Sequence, residues 1–179
     1  MPPKVKITRD DIINAATVIV RTQGESTLNA RGIAAVLGCS TQPVFSNFKS
    51  MDEVRSEIII KAEEIYDEFN KNEIAKSEFP PYKAAAMAYI RFAKVENNLF
   101  KLLFLSGRSN AEFENCLEAL ATETTGLSGD TARLFNLEMW AFVNGLAVMT
   151  ANDRFPLHDS VLSEMLTDAF EGLKIRFNI

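Results

Sequence analysis

Within nine residues, Thr41, Gln42, Phe45, Asn47 and Lys49 gather a hydroxyl, two amides, an aromatic ring and an ammonium. Amides pair with adenine edges in the major groove of a duplex, hydroxyls reach bases or phosphates, and ammonium groups neutralise phosphate. The chemistry requires one short helix that turns these groups outward. Pro43 suits the first turn of such a helix, where its missing N–H costs nothing. Val44 and Phe48 lie four residues apart and face inward together, which leaves Thr41, Gln42, Phe45 and Asn47 outside.

That helix, expected from Thr41 to about Phe48 with Ser40 as its cap, follows a two-turn helix over residues 30–37. Asn29 is the N-cap of the earlier helix, and Ile33, Ala34 and Leu37 make its apolar stripe. Gly38 separates the two, because a sharp interhelical turn needs the positive φ that glycine takes freely. A helix-turn-helix and an ordinary pair of small core helices share this pattern, so the segment alone leaves both open. Upstream, Thr8 with Asp11 three residues on reads as a capping box. Ile12, Ala16, Ile19 and Val20 then form one face of a helix that Gly24 stops.

With three helices before residue 50, this stretch resembles the N-terminal domain of the TetR family of transcriptional regulators. The resemblance rests on Gly24, Thr27-Leu28, Ile33-Ala34, Leu37-Gly38, and the aromatic pair Phe45 and Phe48 followed by Lys49. It implies a base-reading role for Thr41 and Gln42, a base or phosphate contact for Arg31 and a phosphate contact for Thr27. Asn47 occupies a position that the family fills with His or Asn. Two residues depart from the pattern. Phe45 stands where the family usually has a phosphate-binding Tyr, and Met51 where a Lys commonly opens the fourth helix. Both changes remove a phosphate contact and predict weaker or less salt-dependent binding, with Lys49 and the arm residues Lys4 and Lys6 supplying charge. One such helix reads few base pairs, so a homodimer is expected, placing two of them ~34 Å apart on a palindromic site in double-stranded DNA.

The charge distribution follows the same division. Residues 1–55 hold seven Lys and Arg against five Asp and Glu, whereas residues 56–179 hold twelve against nineteen. A basic excess this small argues against general nucleic-acid affinity and for an oriented contact. Cys39 and Cys116 stand among apolar neighbours and His158 is the single histidine, so no metal, cofactor or disulfide is expected and a reduced, cytoplasmic setting fits. Met1-Pro2-Pro3-Lys4 does not read as a signal peptide, and no apolar run approaches the ~20 residues that span a bilayer. Glu63-Glu64 and the pair Glu112 and Glu114 diverge on a helix and lack a nucleophile–base set, which argues against an enzyme.

Beyond residue 50 the helical periodicity continues. The expectation is an all-α chain of about nine helices, with a DNA-binding domain over 1–50 and a ligand-binding and dimerisation domain over 51–179. A helix over 51–72 carries Val54, Ile58, Ala62, Ile65 and Phe69 on one stripe. Breaks are expected at Phe79-Pro80-Pro81, at Asn97-Asn98 and at Gly107-Arg108-Ser109, with further helices over 111–125, 130–152 and 158–177. Among the thirteen phenylalanines, Phe92, Phe100 and Phe104 join Trp140 and Asn144 as candidates for a hydrophobic effector pocket. Trp140, Asn144 and Gly145 resemble a Trp-x-x-x-His-Gly pattern of one TetR group, with Asn144 in place of His. An inward Asn144 needs a partner, either a bound molecule or a helix–helix hydrogen bond. Leu146, Met149, Val161, Leu162, Met165, Leu166, Phe170 and Leu173 offer the surplus apolar surface expected of a homodimer face. The resulting reading is a ligand-responsive repressor. Its alternative is a protein of the same fold that binds ligands or partners and has lost operator binding.

Overall fold

The computed structural model describes residues 6–106, 119–120, 122–152 and 157–179. Lys4, Glu112, Glu114, Cys116, the break expected at 107–109 and most of the helix expected over 111–125 lie outside the described residues. Eight bounded α-helices are present among those described: α1 (Arg9–Gln23), α2 (Ala30–Val36), α3 (Gln42–Asn47), α4 (Met51–Ala75), α5 (Pro81–Val95), α6 (Asn97–Phe104), α7 (Gly129–Ala151) and α8 (Asp159–Phe177). A 3-10 turn at Glu25–Thr27 and a helical stretch over 122–125 complete them, and no strand occurs among the described residues. The all-α expectation holds. Residues up to Asp67 form one compact unit with Glu96–Ser106, and residues 68–95 form a second with those after 106.

In the first unit, local chemistry sets the helix ends. The Thr8 hydroxyl accepts the Asp11 N–H, while the Asp11 carboxylate accepts the Thr8 N–H at 2.9 Å, closing the capping box. The Thr8 backbone, then its hydroxyl, holds the Asp11 carboxyl below its ordinary range. Ile12, Ala16, Ile19 and Val20 are buried as expected, and Gly24 ends α1 at φ 87°. Asn29 caps α2 by accepting the Gly32 N–H at 2.9 Å, and Gly38 turns the chain at φ 64°. The start of α3 differs from the expectation. Thr41, not Ser40, holds the cap position, and no side chain caps it, because Thr41 already has helical φ and ψ.

Along α4 the buried row is Val54, Ile58, Ala62 and Tyr66, so Tyr66 takes the place expected for Ile65, which is half-buried. The expected spacing keeps to one face, whereas the observed row is a strict i+4 row that advances about 40° round the helix at each step, so the buried face of α4 winds round it. The helix also continues to Ala75, past the expected end at 72. The break after α5 falls at Glu96, whose φ of −111° and ψ of 47° leave the helical region, and Asn97 and Asn98 already belong to α6. Here Glu96 is bound to Arg21 of α1: Nε of Arg21 donates to Oε2 at 2.6 Å and its NH2 to Oε1. Asn98 adds a donated bond to the Arg21 carbonyl at 3.0 Å.

The second unit is held by rings and by interhelical polar contacts, two tyrosine–asparagine pairs among them. Phe135 is fully buried and meets Phe170 and Phe177 edge-on at 5.6 and 5.5 Å, while Phe69 meets Phe92 at 5.4 Å. Tyr82 donates to Asn136 at 3.2 Å and Tyr89 to Asn144 at 3.0 Å. Both pairs link α5 to α7 and ascend together, so the two helices run in the same direction. Burial raises both tyrosine pKa values, keeping the hydroxyls protonated as donors.

Helix α7 is long and apolar enough to cross a membrane by composition. Its Phe135, Met139, Val143 and Ala147 are nonetheless buried within this unit, the pattern of a core helix. Leu146, Leu162 and Leu166, expected on a dimer face, are likewise buried in the chain's own core, because each lies on the inward stripe of its helix. Val161 of that expected set is exposed, and the other exposed large apolar side chains of these helices are Leu134 and Leu137 of α7 and Ile175 of α8, with Leu137 61% and Ile175 79% exposed.

The Arg21–Glu96 pair is asymmetric, with the arginine side chain 51% exposed and the glutamate 6%. Removing the cation strands a buried carboxylate, whereas removing the carboxylate leaves an arginine that water can serve. Arg21→Met is therefore expected to cost about 2–3 kcal/mol and Glu96→Gln about 1 kcal/mol. Urea unfolding of the two variants measures the order.

Candidate nucleic-acid interface and body cavity

Helix α3 has six residues and one fully buried side chain, Val44, with Phe48 buried just past its end. Its opposite face is open: Gln42 and Phe45 are exposed, Phe45 at 57%, and Lys49 and Arg31 are exposed beside it in sequence and in the preceding helix. Thr41 and Asn47 are half-buried. The Asn47 amide donates to the Pro43 carbonyl at 2.8 Å, so one of its donors is occupied within its own helix. The Thr27 hydroxyl donates to the Gly24 carbonyl at 2.8 Å, closing the 3-10 turn rather than pointing a free proton outward. Gln42, Phe45, Arg31 and Lys49 are thus displayed, while Thr27 and Asn47 have local duties.

The end of α3 is fixed by Arg9, which sequence reasoning missed. Its NH1 donates to the Asn47 carbonyl at 2.8 Å, its NH2 donates to Glu53 at 2.9 Å and to Glu57 at 2.6 Å, and its guanidinium lies 4.0 Å from the centre of the Phe48 ring. One side chain therefore joins the start of α1, the last turn of α3 and two turns of α4. The Lys49 N–H donates to Glu53 at 2.7 Å. That backbone bond, followed by Arg9, holds the Glu53 carboxyl below the usual range, and Glu57 and Glu53 in turn raise the Arg9 pKa. Arg9 was not a candidate because nothing local distinguishes it; its partners lie 38 to 48 residues away.

In the second unit a cleft of about 300 Å³ is lined by Phe79, Tyr82, Lys83, Met139, Leu166 and Phe170, among others. None of the five expected pocket residues lines it. Phe92 and Phe100 are fully buried in packing, Phe100 and Phe104 belong to the first unit where their rings meet at 5.4 Å, and Phe104 also meets Tyr66. Trp140 packs 4.7 Å from Tyr89 and borders a slot of only about 10 Å³. Asn144 finds its partner in Tyr89, the helix–helix alternative. Aromatic residues at helical spacing do not reveal whether they face packing or space, and that is why the cleft was missed. Among the described residues no cluster of three or more His, Cys, Asp or Glu is placed to hold a metal ion.

No family model and no curated protein matches the sequence. Solved structures do match. A TetR-family member from Streptomyces coelicolor A3 is similar with a TM-score of 0.65 over 90% of this chain and 96% of its own, at 18% identity. A Pseudomonas aeruginosa PAO1 protein assigned as a transcriptional regulator gives 0.69 over 93% and 89%, at 14% identity. The chain has the TetR-regulator fold. The multidrug binding protein EbrR, in complex with imidazole, shares that fold with a TM-score of 0.61 over 90% and 88%, at 19% identity. Within the TetR fold, the N-terminal helices α1 to α3 match the elements expected from sequence, and the six-residue α3 is the second helix of the helix-turn-helix.

Arg9→Lys keeps the charge but replaces a planar fork by one ammonium that cannot serve Asn47, Glu53 and Glu57 together. The expected result is amide hydrogen exchange about tenfold faster at residues 45–48, with exchange in α5 and α7 unchanged. Lowering the pH acts the same way on the native protein. A depressed carboxylate adds stability that is present above its unfolded pKa and lost as pH falls through the folded one, so protection of α3 declines below about pH 4.

Proposed function

We propose that the chain is a sequence-specific DNA-binding regulator that responds to a ligand, most simply a repressor released from a palindromic operator by a hydrophobic small molecule. The observation that carries the reading is α3 itself, which displays Gln42, Phe45 and the flanking Lys49 while Val44 and Phe48 are held behind. Gln42 and Thr41 read base edges; Lys49, Arg31 and Lys6 bind phosphate. Residues 1–50 serve as the DNA-binding domain, residues 51–179 bind ligand and dimerise, and the protein works in the cytoplasm without enzymatic activity. The TetR-fold neighbours support the regulatory role, and the name of EbrR as a multidrug binding protein supports a small-molecule effector.

A homodimer is the natural consequence of so short a reading helix. The exposed side chains of Leu134 and Leu137 on α7 and of Val161 and Ile175 on α8 offer apolar contacts for it. Regulation then needs a ligand that prefers one spacing of the two reading helices, since equal affinity for both states shifts nothing. Helix α4 is the element that carries such a shift, being one unbroken rod of 25 residues from Met51 to Ala75.

A second reading has its own support. The Thr27 proton and one Asn47 donor are used internally, and Phe45 has no hydroxyl to offer a phosphate. A TetR-fold protein that binds ligands or partners and has left DNA would look like this.

Selection of random duplexes by the purified protein at two salt concentrations separates the readings. The regulatory reading predicts an enriched inverted repeat, an altered motif for Gln42→Ala, and for Lys49→Ala a weaker binding to all duplexes with a salt slope shallower by about one. Absence of any enriched sequence favours the second reading.

A further inference from the structure

We propose that the cleft at Lys83 receives a small apolar molecule bearing one carboxylate, and that this molecule is the effector. The second clause rests on the regulatory reading above; the first stands on the cleft alone. At about 300 Å³ the space suits on the order of ten non-hydrogen atoms, taking the ~30 Å³ that one water occupies in the liquid. Its walls are rings and aliphatic groups: Tyr82, Met139 and Leu166 are buried, and Phe79 and Phe170 form its sides. Such walls bind an apolar body and say nothing about its head group.

Lys83 supplies that information. Lys83 is half-buried as a residue, and its ammonium, at the exposed rim, donates to the Thr167 hydroxyl at 2.6 Å and stands 4.7 Å from the centre of the Phe79 ring. A hydroxyl and a ring face are neutral partners, and no carboxylate among the described residues pairs with it. A cation at the rim of an apolar cleft with only neutral partners attracts an incoming anion, and a carboxylate offers short charge-assisted hydrogen bonds. Glu171 also borders the cleft and points to the opposite charge. It is exposed, however, and its two oxygens lie 3.1 and 3.3 Å from the Lys174 ammonium, so its charge is already answered.

The other spaces do not compete. The slot at Trp140 has room for less than a ligand, and the open groove at Asp10, Glu57 and Glu64 on α1 and α4 is polar and already carries Lys61.

Calorimetric titration of the full chain with 2-naphthoate, its neutral amide 2-naphthamide and the cationic 2-naphthylmethylammonium tests the inference. Naphthoate is expected to bind tightest, to weaken about fivefold in Lys83→Gln and to recover in Lys83→Arg, while naphthamide binds wild type and Lys83→Gln alike. Thr167→Trp, a substitution at an exposed position over the mouth, is expected to block all three. Tightest binding of the amine, naphthoate binding indifferent to Lys83→Gln, binding that survives Thr167→Trp, or no binding of naphthoate overturns the inference. If naphthoate binds as expected and no duplex is selected, the site stands and its regulatory role falls. If duplexes are selected and naphthoate does not bind, the regulatory reading stands and the carboxylate site falls.

Discussion

A helix of six residues has no stability of its own, because the cost of nucleating it is not recovered over so few hydrogen bonds. Helix α3 therefore exists only as far as other elements hold it, and the functional face depends on that support. Val44 and Phe48 provide the apolar side of it. Arg9 provides the polar side, using one guanidinium to fix the last carbonyl of α3 against two glutamates of α4 and the ring of Phe48. The two turn glycines act earlier, ending α1 and α2 where the chain must change direction. Gln42 and Phe45 are free to face outward because none of them is needed for this work.

The same economy governs the rest of the molecule. Where helices must keep a register, a part-buried polar pair fixes it: Tyr82 with Asn136, Tyr89 with Asn144, and Arg21 with Glu96. Apolar packing alone is non-directional and tolerates sliding, whereas each pair is satisfied at one position only. Lys83, at the rim of an apolar cleft, has neutral partners instead, and that difference marks the cleft as a place for something else.

The sequence was most legible where the physics is local. The capping box of Thr8 and Asp11, the stop at Gly24, the cap at Asn29, the turn at Gly38 and Pro43 in the first turn of α3 all depend on neighbours within a few residues. Less of the candidate site was legible. Thr41 takes the cap position expected for Ser40 because of its backbone angles, and Tyr66 the row position expected for Ile65 because the buried face of α4 winds round the helix. Arg9 finds its partners across 38 or more residues and Lys83 reaches Thr167 across 84, so their own segments did not announce these bonds, whereas Asn144 was singled out and takes the helix–helix alternative with Tyr89. Phe92 and Phe100 illustrate the converse, since residue type and spacing fit packing and pocket equally well and the structure puts both in packing.

The central claim is that α3 and its flanks are the surface that meets duplex DNA. Amide NMR spectra of the protein titrated with its best selected duplex test this most directly. The account predicts shifts concentrated at Arg31, residues 41–45 and Lys49, with the acidic second unit changing little. Shifts confined to other surfaces, or none at duplex saturation, contradict it.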